Sequence, residues 1–110
     1  MTEPSFESRL VKIADIKAPM RGVVIVGRVT GKSDPYEINT RFGPAMISDA
    51  ELEDGTGRIR WRIWRDQIPR VSVGDEVKLQ NAFVRSFGAQ LELNLGSDGI
   101  LEIVQKPKSA

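Results

Sequence analysis

"EDGTGRIRWRIW", residues 53–64, joins a tight-turn signal to a segment that carries two tryptophans. Asp54-Gly55 between apolar runs marks a hairpin, because the short turns that match strand twist need positive φ. In a strand, successive side chains point to opposite faces. Arg58, Arg60, Arg62 and Trp64 then share one face, and Ile59, Trp61 and Ile63 share the other. The second set reads as core. The first is an exposed row of cations that ends in an aromatic ring.

The neighbouring segments supply partners for this strand. "AMISDAEL" (45–52) is the other arm of the hairpin, and residues 66–69 allow a helical turn at most. "VVIVGRVT" (23–30) is β-branched on both faces, as expected of a strand buried on two sides or strongly curled, with Gly27 as its bend. "GKSDPYEINTRFG" (31–43) is turn-rich and predicts a long loop or a hairpin arm. A strand over 76–87, "EVKLQNAFVRSF", changes parity: Val77 and Leu79 share one phase, Ala82 and Val84 the other. One bulge near Asn81 keeps all four in the core and turns Phe83, Arg85 and Phe87 outward. "QLELNL" (90–95) alternates, with Leu91, Leu93 and Leu95 inward and Gln90, Glu92 and Asn94 outward. "ILEIV" (100–104) fits a terminal strand, and "LVKIADIKAPM" (10–20) a short segment covering one end.

Five strands in mostly antiparallel order, one of them two-sided, suit an all-β, five-stranded Greek-key barrel of the OB type. A short N-terminal capping segment completes it. The 110 residues are expected to form one domain over 1–104, with a short polar tail over 105–110 and frayed residues at 1–9.

Composition removes whole classes of chemistry. The chain has no cysteine and no histidine, so the usual zinc and iron–sulfur ligands, thiol nucleophiles and imidazole bases are missing. Neither a dinucleotide fingerprint nor a phosphate loop is present in frame, since "GKS" at 31–33 lacks its upstream glycine. No catalytic constellation, metal site or cofactor is expected. A formal net charge of +1 says little, but Arg58, Arg60, Arg62, Arg65 and Arg70 crowd one short segment. With no secretory leader and no membrane-length apolar run, the expected location is cytoplasmic.

On the outer face, Trp64, Phe83 and Phe87 collect with Arg58, Arg60, Arg62 and Arg85. Rings on which bases stack, framed by cations for phosphate, are what binding to single strands requires. Against this stand two plainer readings: an aromatic in a barrel is usually core, and an exposed aromatic–arginine patch also suits a protein interface. Each strand here already has a full apolar set on its opposite face, which weakens the first.

"DIKAPM…VVIVGRVTG", "LEDGTGRIRWRIW", "VGDEVKLQNAFVRSF" and "LELNLG" resemble the archaeal single-OB single-stranded DNA-binding proteins, relatives of the OB folds of replication protein A. The resemblance runs from about Asp15 to Gly96. It implies a non-enzymatic, nucleoid-associated protein that protects single-stranded DNA with little sequence preference during replication, recombination and repair. It also implies that Trp64, Phe83 and Phe87 stack bases, although many members carry tryptophan where Phe83 stands. Arg60, Arg62 and Arg85 are expected to pair with phosphate or stack beside the bases, so that reversing charge at Arg60 and Arg62 should spare the fold. Lys32, Tyr36, Arg41 and Phe42 are candidates to close over the strand. Glu92 and Asn94 are placed at the edge of the surface, with Asn94 as the contact. Single-stranded RNA binding and a protein-interaction subunit are the alternatives, replication or repair proteins are possible partners, and a monomer is expected.

Overall fold

The computed structural model describes residues 10–106. The expectations for residues 1–9 and for most of the tail lie outside this range. Seven strands appear: β1 (Met20–Lys32), β2 (Tyr36–Thr40), β3 (Gly43–Glu53), β4 (Arg58–Trp64), β5 (Glu76–Phe87), β6 (Gln90–Asn94) and β7 (Ile100–Gln105). Two short 3-10 turns, Ile13–Asp15 and Arg65–Arg70, are added to them. The strands run β1-β3-β4-β6-β5-β7, and β1 also pairs with β5, so the sheet closes on itself. All pairings between strands are antiparallel except that of β4 with β6.

The OB barrel stands, and the strand count is corrected from five to seven. Segment 31–43 resolves as the hairpin arm: β2 pairs with the first half of β3, Tyr36 opposite Ile47 through Thr40 opposite Gly43. The terminal segment expected at 100–104 is a strand of its own, β7. β6 and β7 both pair with β5, and residues 95–99 loop out where β5 carries its bulge. Gly99 permits that loop to close, since a Cβ there would meet Leu95 Cδ1 at 2.2 Å. β7 also runs one residue beyond the expected domain end, and Lys106 bonds to the buried Asp75 at 3.1 Å.

The curl of β1 closes the barrel. Its first part pairs with β5 through Arg28 opposite Glu76, and its last part with β3 from Arg28 opposite Glu53. At the crossover sits Gly27, where a Cβ would come within 2.9 Å of the Glu53 carbonyl and of Leu52. Val23, Val24 and Ile25 are all buried, so the strand is covered on both sides as its β-branched sequence predicts. Val11 N–H donates to the Val24 carbonyl at 2.9 Å, and Ile13 and Ile16 seal one end of the core. The turn Arg65–Arg70 places Ile68 in the core, and Arg70 donates to the Leu101 carbonyl at 2.8 Å.

Parity holds along both diagnostic strands. Ile59, Trp61 and Ile63 are buried in the core cluster, and Trp61 is fully enclosed. Asn81 has φ 55° and the register of β1 with β5 shifts beside it, which is the bulge that returns Ala82 and Val84 to the core.

Candidate nucleic-acid interface

Strand register lays out the outer face as a series of rows. One row runs Asp49 (β3), Arg62 (β4), Asn94 (β6), Phe83 (β5) and Arg21 (β1). The next runs Glu51, Arg60, Glu92 and Arg85. Trp64 lies opposite Ile47, which lies opposite Tyr36 on β2. Phe87 ends β5 opposite Gln90. Trp64 and Phe83 are half-buried, and Phe87 is 41% exposed. All three expected stacking rings therefore stand on one face.

The arginines between them are already engaged. Glu92 carries a fully buried carboxylate, approached by Arg60 Nε at 3.6 Å, Arg62 Nε at 3.5 Å and Arg85 Nε at 3.4 Å. Asp49 takes a 2.9 Å bond from Arg60 Nη2 and lies 4.0 Å from Arg62 Nε. Tyr36 donates its phenol to Asp49, and that bond, with burial and the carboxylate's charge, raises the Tyr36 pKa above its usual value. For Arg60, burial favours the neutral form, but the bond to Asp49 and the charges of Asp49 and Glu92 outweigh it and raise its pKa. The face is thus a mixed lattice of charges rather than a basic groove.

This lattice also holds the rings. Arg62 lies 5.9 Å from the centre of the Trp64 ring and 5.2 Å from that of Phe87, and Arg60 lies 4.9 Å from Phe87. Trp64 Nε1 donates to Asn94 Oδ1 at 3.0 Å, and Asn94 Nδ2 donates to Glu92 Oε1 at 3.1 Å. Such contacts orient an aromatic face by attraction of a cation to the ring and by a fixed indole bond.

The structure places several of these residues otherwise than expected. Glu92 and Asn94 lie at the centre of the face and not at its edge, because β6 sits between β4 and β5. Both are buried, so Asn94 orients Trp64 and presents no free contact. Arg62 is also buried, and a glutamate there would face Asp49 and Glu92, so charge reversal is expected to disturb the fold. Lys32 is held by the chain that follows β4. Its ammonium donates to the carbonyls of Ile68 and Val71 at 2.7 Å each, pinning the 3-10 turn.

Arg41 and Phe42 form the tip of the β2–β3 hairpin, where Phe42 is 87% exposed. A cleft of about 810 Å³ includes Lys32, Asp49, Glu51, Arg58, Arg60 and Gln90 among its lining residues. A second, of about 420 Å³, runs between Trp64 and Phe83. Sequence reasoning missed Asp49 and the central place of Glu92. The hairpin could have revealed Asp49: pairing Glu53 with Arg58 across the turn sets Asp49 opposite Arg62. Among the described residues no group of acidic side chains could hold a metal ion, and no helix is long and apolar enough to cross a membrane.

No family model matches the chain. It is 32% identical over 107 residues to the single-stranded DNA binding protein Ssb of Saccharolobus solfataricus, covering 89% of this chain and 72% of that protein. Replication factor A of Methanothermobacter thermautotrophicus is 30% identical over 89 residues, which span 80% of this chain and 11% of that protein. An OB domain from Thermoplasma acidophilum superposes with a TM-score of 0.76 at 28% identity, covering 92% of each chain. With its sheet order, its aromatic face and these relatives in agreement, the chain belongs to the archaeal family of single-stranded DNA-binding proteins related to replication factor A.

Proposed function

We propose that this protein binds single-stranded DNA with little sequence preference and shields it during replication, recombination and repair. Bases stack on Trp64, Phe83 and Phe87. The observation that carries the reading is that these three rings share one outer face while the strands beneath them keep complete apolar cores. Arg60, Arg62 and Arg85 serve mainly as stacking support, because carboxylates already hold their guanidinium groups. Arg41 and Phe42, at the exposed hairpin tip, close over the bound strand. No catalytic step is part of this role.

Titration of tryptophan fluorescence with oligo-dT, oligo-rU and a duplex of the same length tests the reading. Tight binding to oligo-dT, weak binding to duplex and a site of about 4 to 6 nucleotides are expected. Equal affinity for duplex and single strand would exclude a stacking mode, because duplex bases are not splayed.

A further inference from the structure

The stacking rings lie in a trough that does not end at Phe83. Trp64 and Phe83 wall the cleft of about 420 Å³, and Phe83 also walls a separate cleft of about 340 Å³ on its other side. Arg21, Asn81 and Asp98 line that second space. It lies across the β1–β5 seam, outside β3, β4 and β6.

Arg21 pairs directly with Phe83 in the β1–β5 register, so both side chains project from the same side of the sheet. The residue is exposed, and among the described residues its side chain has no ion pair or hydrogen bond. That separates it from Arg58, Arg60, Arg62 and Arg85, each of which faces a carboxylate within 4.0 Å. A phosphate that approaches Arg60 or Arg62 must compete with Asp49 and Glu92. One that approaches Arg21 displaces only water.

The bulge creates the space. Asn81 in the left-handed region bulges β5, and on β1 Gly22, between the pairs Arg21–Phe83 and Val23–Ala82, also has positive φ, 64°. The loop 95–99 then closes the far wall, with Asn81 Nδ2 donating to the Asp98 carbonyl at 3.5 Å.

We propose that this cleft is a further nucleotide subsite, in which Arg21 takes a phosphate of a single strand continuing past the base on Phe83. The proposal rests on the stacking role of Phe83. It moves the main phosphate contact from the ion-paired arginines of β4 to an unpaired arginine on β1. Asp98, the one carboxylate lining the cleft, keeps the phosphate on the Arg21 side and leaves its own oxygens to accept from a base edge.

The test uses the full chain with dT8 at several salt concentrations. Arg21→Ala should melt like wild type, since the residue is exposed. It should bind dT8 about two- to fivefold more weakly, the scale of one exposed ion pair. The slope of log K against log salt should become shallower by about 0.7, one phosphate contact on a single strand. Arg21→Lys should restore both, because a point charge suffices for phosphate. If Arg21→Ala matches wild type in affinity and slope while Trp64→Ala still loses binding, the subsite does not exist although the stacking reading holds. Failure of wild type to bind dT8 at all would remove the stacking reading, and this proposal with it.

Discussion

Trp61 and Trp64 stand three residues apart on one strand and live in opposite environments. Trp61 is fully enclosed among the aliphatic side chains of the barrel, and among the described residues its indole N–H has no hydrogen-bond partner. Trp64 lies half-open on the outer face, its indole N–H fixed to Asn94 and its ring flanked by Arg62. The inner face of β4 is held by apolar burial, which tolerates one unpaired donor but not lost volume. The outer face is held by a polar lattice that leaves its rings partly uncovered. The same residue type thus fills the core on one side and, in the proposed role, stacks a base on the other.

The largest effect should come from the inner side. Trp61→Ala empties the centre of a small core, and truncations of this kind cost about 3 to 5 kcal/mol. That approaches the whole stability of many small domains. Denaturant unfolding of the variant should show a collapsed midpoint or no cooperative transition. A near-wild-type midpoint would mean that the two faces are assigned in reverse.

Next in size is the buried anion of the outer face. Glu92→Ala leaves Arg60, Arg62 and Arg85 around a site with no carboxylate. Removing one partner of a buried ion pair costs about 3 to 5 kcal/mol, and the partial exposure of Arg60 and Arg85 places this case at about 3 or below. Glu92→Gln keeps the acceptor for Asn94 and should lose less. The double variant Arg60→Glu, Arg62→Glu should also melt early, because it sets new anions beside Asp49 and Glu92. Melting temperatures of the three variants check the lattice. Unchanged values would mean that the outer face is an ordinary solvated surface.

This lattice marks where the sequence stopped being legible. Periodicity was enough for β4 and for the parity change in β5, because apolar residues must reach the core whatever the neighbours are. The same argument placed Trp64, Phe83 and Phe87 outside. Alternation assigns a face but not a depth, however, and Glu92 and Asn94 were outward by parity yet buried by neighbouring side chains. The parallel pairing of β4 with β6 places Glu92 among arginines from two other strands, and no local pattern encodes that contact. Lys32 misled for a similar reason. In a turn-rich segment it reads as a free loop cation, whereas its partners are carbonyls 36 and 39 residues away.

Trp64→Ala isolates recognition from stability. One stacked base is worth about 1 to 3 kcal/mol, so affinity for oligo-dT should fall about ten- to a hundredfold. The melting temperature should move little, because the ring is half-open and Asn94 keeps Glu92 as a partner. Oligo-dT should quench wild-type fluorescence mainly through Trp64, and Trp64→Phe should lose most of that quench. A strong residual quench would assign the change to Trp61 and break the contrast between the faces.

The smallest effect belongs to the turn that starts β4, and it should touch only the inner side. Asp54 Oδ2 accepts from the Ile13 N–H at 2.8 Å, and Oδ1 accepts from the Thr56 N–H at 2.8 Å and from its hydroxyl. Thr56 Oγ1 in turn accepts from the Ala14 N–H at 3.1 Å. The turn therefore pins the segment whose Ile13 and Ile16 seal the core. Burial alone would raise the Asp54 pKa, but bonds from the Thr56 side chain and from backbone N–H groups prevail and lower it. A carboxylate whose folded pKa lies below its unfolded value stabilises the fold above the unfolded pKa, about 3.9, and loses that contribution as pH falls through the folded value. Asp54→Ala should thus cost about 1 kcal/mol at pH 7. The gap between variant and wild type should shrink as pH falls from about 4, where the unfolded chain begins to protonate, through the lower folded value. Urea unfolding at pH 7 and in acid, paired with oligo-dT titration at pH 7, checks both halves. The contrast between the faces predicts lower stability with unchanged affinity; a variant that binds oligo-dT more weakly would show that the capping segment also shapes the outer face.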